Sequence, residues 1–320
     1  MSTPYIPCLD LNSYINGTEE ERQKFSAELG RAFNDSGFVT ITNHGISQEL
    51  IDQLYKNIKA VFGLPKEVKL KYEKPELAGQ RGYTSPGKET AKGAKTADLK
   101  EFWQIGQEVT DGDAIKEQYP ANEYLEEIPE FNTVTREIYQ KLEDNGKQLL
   151  RAIATYLGLP ITYFDQHVHN GNSILRGIHY FPIENPEDLP ADAVRAGAHE
   201  DINLITLLIG ASADGLEVLT RSKEWLPIKA HHSDIVVNVG DMLQRLTNNK
   251  LRSTTHRVVN PPRELMKTSR FSVPFFLHPR ADMDLTSLAS CVDAEYPKVY
   301  EDMTAGEYLD ERLREIGLKK

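Results

Sequence analysis

The sequence contains only two cysteines, Cys8 and Cys291, and they stand far apart. Two thiols at that separation form neither a disulfide framework nor a zinc knuckle, which makes a reducing cytoplasm the expected compartment. Long apolar runs are missing as well. No stretch approaches the roughly 18 apolar residues that a membrane span needs, so no membrane partner is expected. The opening residues MSTPYIPCLD have neither the basic segment nor the apolar core of a signal peptide. Positive charge is short too: 37 lysines and arginines against 48 acids give a formal charge of -11. The basic residues are scattered rather than gathered in a stripe, which argues against nucleic acid as the main partner. Internal repeats and low-complexity segments are absent.

What remains is an ordinary soluble composition, 39% hydrophobic and 27% charged, in 320 residues that can bury a sizeable core. The first third mixes helix and strand. Phe25, Leu29, Ala32 and Phe33 form a helical stripe within residues 19–34, and the β-branched run 37–42 follows it. Ser47 is placed as an N-cap for a second helix whose apolar face is Leu50, Ile51, Leu54, Ile58, Val61 and Phe62. Residues 74–96, rich in Gly, Pro, Lys and Thr, are expected to form a long loop, either a lid over a site or a connector. A long helix over residues 132–157 ends at Gly158-Leu159-Pro160. After Ser173 come short β-rich runs at 174–181, 203–210, 216–219, 225–229, 234–239, 254–259 and 270–277, with turn signals between them. Such spacing means a barrel or a jelly roll. The tail from Ala305 is expected to be a short charged helix.

Chemistry concentrates in that second half. His199 and Asp201 are two apart at the head of an apolar run, so on a strand both side chains reach one point while Glu200 faces away. His256 lies in a later β-rich run. Two histidines and one carboxylate on adjacent octahedral positions make a facial triad that leaves three positions open, a donor set suited to iron(II). A histidine in a strand is also commonly just packed or hydrogen-bonded. Of the others, His231 and His232 follow a strand in a turn, and His167 with His169 make a rival pair near Asp165. The next strand places Arg270 and Ser272 on one face. Buried polar groups need partners, so the pair either clamps an anion in the barrel or meets an acid at its mouth.

Taken together, H-x-D, a distant His and R-x-S resemble the isopenicillin N synthase-like family of iron(II)- and 2-oxoglutarate-dependent oxygenases. The resemblance extends over nearly the whole chain. It includes Gly37-Phe38-Val39-Thr40-Ile41-Thr42-Asn43-His44-Gly45-Ile46, Arg81-Gly82-Tyr83, residues 98–103 ending in Phe102-Trp103, Asn238-Val239-Gly240-Asp241, and Pro274-Phe275-Phe276. It implies a mainly β fold with flanking α: a double-stranded β-helix (jelly-roll) core at 173–280, wrapped by N-terminal helices and a short C-terminal helix. Residues 1–172 would pack on the barrel, and 281–320 would form a C-terminal extension. It implies Fe(II) on His199, Asp201 and His256, with 2-oxoglutarate chelating the metal and O2 as oxidant. The far carboxylate of 2-oxoglutarate would lie on Arg270 and Ser272, with Tyr180 adding a hydrogen bond and Arg176 either helping or serving the strand. Ile178-His179-Tyr180 departs from the Asn-Tyr-Tyr of many plant members, so the asparagine contact is lost.

The implied reaction oxidises a small-molecule metabolite by hydroxylation, desaturation or cyclisation, with succinate and CO2 released. Neutral imidazoles are required for ligation, so metal affinity should fall at low pH. Tyr83, Phe102, Trp103, Leu246, Phe276 and His278 are the expected substrate contacts. A 2-oxoglutarate-independent oxidase of the same fold, with Arg270 and Ser272 on the substrate's own carboxylate, fits the motifs equally. A non-catalytic binding module and a structural zinc protein are further alternatives; open positions make the triad a poor structural zinc site. The oligomeric state is not written in the sequence.

Overall fold

The computed structural model describes residues 6–77, 79–88, 100–183, 194–210 and 215–315. The first half holds β1 (Cys8–Asp10), α1 (Leu11–Ile15), α2 (Glu19–Asp35), β2 (Phe38–Thr42), α3 (Gln48–Phe62), α4 (Lys66–Leu70), β3 (Gly82–Thr84), β4 (Lys100–Gly106), α5 (Pro129–Tyr156) and α6 (Asp165–Val168). The second half holds β5 (Ile174–Tyr180), β6 (Ala196–His199), β7 (Ile205–Ile209), β8 (Leu216–Leu219), β9 (Trp225–Pro227), β10 (Ile235–Val239), α7 (Asp241–Leu246), β11 (His256–Val258), β12 (Arg270–Leu277) and α8 (Ala305–Glu315). No helix among the described residues is long and apolar enough to cross a membrane.

Local chemistry explains where the helices begin and end. Thr18 and Glu21 form a reciprocal capping box at the start of α2, and Ser47 accepts from the Leu50 amide at the start of α3. At the end of α5, Gly158 adopts φ +70°, which lets the Leu159 amide reach back to the Ala154 carbonyl.

The strands form two sheets, one in the order β1-β2-β10-β7-β12-β5-β4-β3 and one in the order β6-β11-β8-β9. Alternation along each strand then sorts the side chains. One face of the large sheet carries Val39, Ile41, Ile205, Leu207, Ile209, Val237, Val273, Phe275 and Leu277 into the main core. The stripe of α5 covers that face, with Tyr139 edge-on to Phe275 at 5.0 Å. The opposite face meets the small sheet: Phe38 and Val236 pack with Val218 and Ile228, while Phe102, Ile178 and Tyr180 pack with Ala196 and Val258. The two sheets therefore enclose an interior, as in a jelly roll.

The sequence reading missed several strands. β3 lies inside the segment expected to be a loop, where the three residues Gly82-Tyr83-Thr84 carry too little pattern to register. It pairs antiparallel with β4 as the outermost strand of the large sheet. β1, β4 and β6 went unnamed for a similar reason, being short or, for β4, polar-rich. Of the expected lid at 74–96, residues 78 and 89–96 lie outside the described residues, as do 98 and 99 of the motif before Phe102.

Candidate active site

Antiparallel pairing of β6 with β11 sets His199 directly opposite His256, with ring centroids 4.5 Å apart. Asp201 lies just past the end of β6 and turns its Oδ1 toward both: each histidine Nε2 is 3.9 Å from that oxygen. One ligand atom from each of the three residues lies within 4.8 Å of the others, and this is the sole such group among the described residues. His167 and His169 do not form a rival centre. His169 pairs with Asp111 at 2.9 Å, and His167 lies beside Gln166. His232 lies near Asp52, and His231 is exposed, as expected for a turn.

The surrounding groups orient all three side chains. His199 Nδ1 lies 2.7 Å from the Gly197 carbonyl and His256 Nδ1 lies 3.1 Å from the Thr254 carbonyl. A carbonyl only accepts, so each Nδ1 donates and each neutral ring keeps its Nε2 lone pair for the centre. Asp201 Oδ2 accepts from Thr206 Oγ1 at 2.6 Å and Asn238 Nδ2 at 2.8 Å, which leaves Oδ1 for the histidines. The Asp201 carbonyl accepts from the Asp241 amide at 2.7 Å. This approach requires Gly240, because a Cβ there would stand 2.2 Å from the Asn203 carbonyl oxygen. Burial pushes the Asp201 carboxyl up, but the two imidazoles and the two hydrogen bonds outweigh it and hold the group below its ordinary value. The donor set, two neutral nitrogens and one oriented carboxylate oxygen, fits a divalent iron with open positions.

Thr206 and Asn238 were not singled out from sequence. Their signal was present: each is a lone polar residue in an apolar strand, LITLLI and IVVNV. Both point to the enclosed side, where an unpaired polar group is costly.

Arg270 and Ser272 share that enclosed face. Arg270 is 1% exposed and its guanidinium lies 5.1 Å from the ring centroid of Tyr180, its register partner on β5. Continuing along the same face of β12, Phe276 pairs in register with Thr206 of β7, and His278 follows. His278 is buried, and desolvation holds its imidazole down to about 4 against the opposing pull of Asp201. From β4 and β5, Phe102 and Arg176 join this wall. Arg176 Nε donates to Gln104 Oε1 at 2.7 Å, and its guanidinium faces the rings of Phe102 at 4.3 Å and Phe276 at 5.3 Å.

Three expected substrate contacts face away from this wall. Trp103 follows Phe102 and therefore faces the other way, into the helical layer, against Tyr72 and Phe131. Tyr83 is its register partner and lies on the same outer side, donating to Glu101 at 2.5 Å. Leu246, on α7, is 1% exposed within the main core. Strand alternation decides the first two, and a motif read without its facing cannot.

Comparison with known proteins agrees with this geometry. Residues 6–127 match the model of the N-terminal region of non-haem dioxygenases in morphine synthesis, and residues 171–279 match that of the 2OG-Fe(II) oxygenase superfamily. The chain is 37% identical over 319 residues to the proline hydroxylase buaE of Petromyces alliaceus, covering 95% of this chain and 97% of the relative. It is 32% identical to the 2-oxoglutarate-dependent dioxygenase htyE of Aspergillus rugulosus, with coverage of 95% and 96%. Among solved structures, a 2OG-Fe(II) oxygenase family protein of Caulobacter crescentus superposes with a TM-score of 0.88 at 44% identity, covering 98% of this chain and all of that one. A full-length Neurospora crassa protein, solved in complex with alpha-KG and thymine, superposes with a TM-score of 0.84 at 28% identity, with coverage of 97% and 96%. The chain accordingly belongs to the 2OG-Fe(II) oxygenase superfamily, and its activity is that of an iron- and 2-oxoglutarate-dependent dioxygenase.

Proposed function

We propose that His199, Asp201 and His256 hold the iron, that Arg270, Ser272 and Tyr180 receive the far carboxylate of 2-oxoglutarate, and that Phe102, Phe276 and His278 face a small-molecule substrate. The observation that carries this reading is the convergence of two Nε2 atoms and one carboxylate oxygen in the interior that the face of Arg270 and Ser272 encloses. When bound, iron and 2-oxoglutarate together supply the oxidising power drawn from O2, and succinate and CO2 leave. The protein's own task is to orient and to exclude water. The Arg270 guanidinium offers a fork matched to a carboxylate, and Ser272 adds a hydroxyl donor. Phe102, Ile178 and Tyr180 close the site against the small sheet with apolar surface.

The substrate side is mixed in character. Two phenylalanine rings flank Arg176, and His278 lies in the same wall as a neutral imidazole. Such a wall suits a small polar metabolite with an apolar body, a class that includes the proline and thymine named for the relatives. The N-terminal region supplies β1–β4 to both edges of the barrel's large sheet, which supports reading residues 1–172 and 173–280 as one catalytic unit. Two free cysteines, Cys8 and Cys291, support a reducing compartment such as the cytoplasm.

Two expected results test the roles. Arg270→Leu should raise the KM for 2-oxoglutarate by more than about tenfold, since it removes a charge-assisted pair. Measured succinate formation against 2-oxoglutarate concentration decides it, and an unchanged KM would remove Arg270 from the site. Asn238→Ala should lower iron affinity by about 10- to 100-fold, because it frees the carboxylate that Asn238 orients. An iron titration with the wild-type binding curve would show that Thr206 alone fixes Asp201.

A further inference from the structure

We propose that Arg195 is a second arginine of the cosubstrate site, placed beside Arg270 to bind the far carboxylate of 2-oxoglutarate. The inference rests on the reading of Arg270 and Ser272 given above. Arg195 stands one residue ahead of β6 and is 3% exposed. Its Nη2 donates to the Thr268 carbonyl at 2.7 Å, and Thr268 is two residues before Arg270 on the chain entering β12. Its Nε meets no hydrogen-bond partner among the described residues. The next residue, Ala196, belongs to the same buried cluster as Tyr180, the ring over which the Arg270 guanidinium lies. Arg195 is thereby anchored at the end of β12 that carries Arg270.

A buried guanidinium such as that of Arg195 is costly without an anion. Among the described residues no carboxylate pairs with Arg195. Desolvation, and after it the charge of Arg270, weaken its hold on its proton. Holding one carbonyl needs only a neutral donor. A buried cation placed beside another is accounted for by an anion that both share. An ionised carboxylate offers about four lone-pair sites. The Arg270 fork and the Ser272 hydroxyl occupy about three of them, which leaves one for the Arg195 Nε–H. Arg195 would thus select dicarboxylate cosubstrates over shorter 2-oxoacids that chelate the metal but carry no far carboxylate.

The test uses the full chain loaded anaerobically with iron, titrated calorimetrically with 2-oxoglutarate and, separately, with 2-oxobutyrate, which lacks the far carboxylate. Arg195→Gln retains a donor for the Thr268 carbonyl and removes the charge. It should weaken 2-oxoglutarate by about 10- to 100-fold and leave 2-oxobutyrate unchanged, the loss expected for one charge-assisted hydrogen bond. If R195Q does not fold, R195K carries the test: with the planar fork gone, 2-oxoglutarate alone should weaken several-fold. Wild-type affinity for 2-oxoglutarate overturns the proposal, and so does an equal loss for both ligands, which is the mark of a structural role. Arg270→Gln in the same titrations separates the two levels. A selective loss in R270Q without one in R195Q overturns Arg195 and leaves the Arg270 reading standing; no selective loss in either overturns both.

Discussion

Replacing His256 by alanine is expected to leave a folded protein that neither retains stoichiometric iron nor forms succinate above background. His256 is buried, it lies directly opposite His199 across the β6–β11 pair, and its Nδ1 is committed to the Thr254 carbonyl. The ring therefore has one lone pair to give, and that lone pair points at Asp201 Oδ1 3.9 Å away. Loss of an outer partner such as Asn238 costs about 10- to 100-fold in metal affinity. Loss of one of only three protein ligands must cost more, because no carboxylate, cysteine or further histidine among the described residues stands in reserve. Elemental analysis after dialysis gives the metal content, and succinate release gives the activity. Iron retained at one equivalent with activity intact would remove His256 from the centre. The melting temperature of the metal-free variant should stay near that of the metal-free wild type, since the deleted ring contacts Phe38 and His199 rather than the main core.

What the sequence disclosed and what it hid divide along a physical line. H-x-D, the distant histidine and R-x-S were legible because their chemistry needs fixed residue types, and a two-residue spacing survives small changes of backbone. Even so, the simple argument from strand alternation was only partly right: Asp201 lies beyond the end of β6, and it is brought back by Thr206, Asn238 and the Asp241 amide. The wall beside the three-residue centre was half legible. Phe102, Phe276 and His278 face the enclosed side, while Trp103 and Tyr83, neighbours in the same motifs, face the helices. A single-residue change of register reverses that assignment, and nothing in FWQ or RGY fixes register without the pairing of β3, β4 and β5. Arg195 carried no signal at all, because its meaning depends on Thr268 and Arg270, remote in sequence.

Glu101→Ala is expected to destabilise the protein by about 3–5 kcal/mol, as befits a buried charge cluster that loses its central anion. Glu101 is 1% exposed on the outer face of β4 and accepts from three groups: Lys69 Nζ at 2.7 Å, Tyr83 Oη at 2.5 Å and His179 Nδ1 at 2.8 Å. Because His179 Nδ1 donates to a carboxylate, its Nε2 is free to accept from Ser269, 2.9 Å away and adjacent to Arg270. The ring itself is stacked on Phe271 at 4.8 Å and lies against Phe62 and Phe181. Alanine at 101 strands the buried Lys69 ammonium and unties the strand that carries Arg270. For a chain of this size the melting temperature should fall by on the order of 10 °C. Glu101→Gln, which keeps the shape and loses the charge, should fall between. Acidity supplies an independent check. Burial raises the Glu101 pKa, but the His179, Lys69 and Tyr83 contacts outweigh it and the net shift is downward from 4.5. A depressed folded-state pKa gives stability that is present above the unfolded value and lost as pH falls through the folded one. The wild type should therefore lose stability more steeply than Glu101→Gln below about pH 4.5, and the two should run parallel above it. Denaturant melts across that range measure the difference, and parallel curves throughout would mean that folding leaves the Glu101 pKa unchanged.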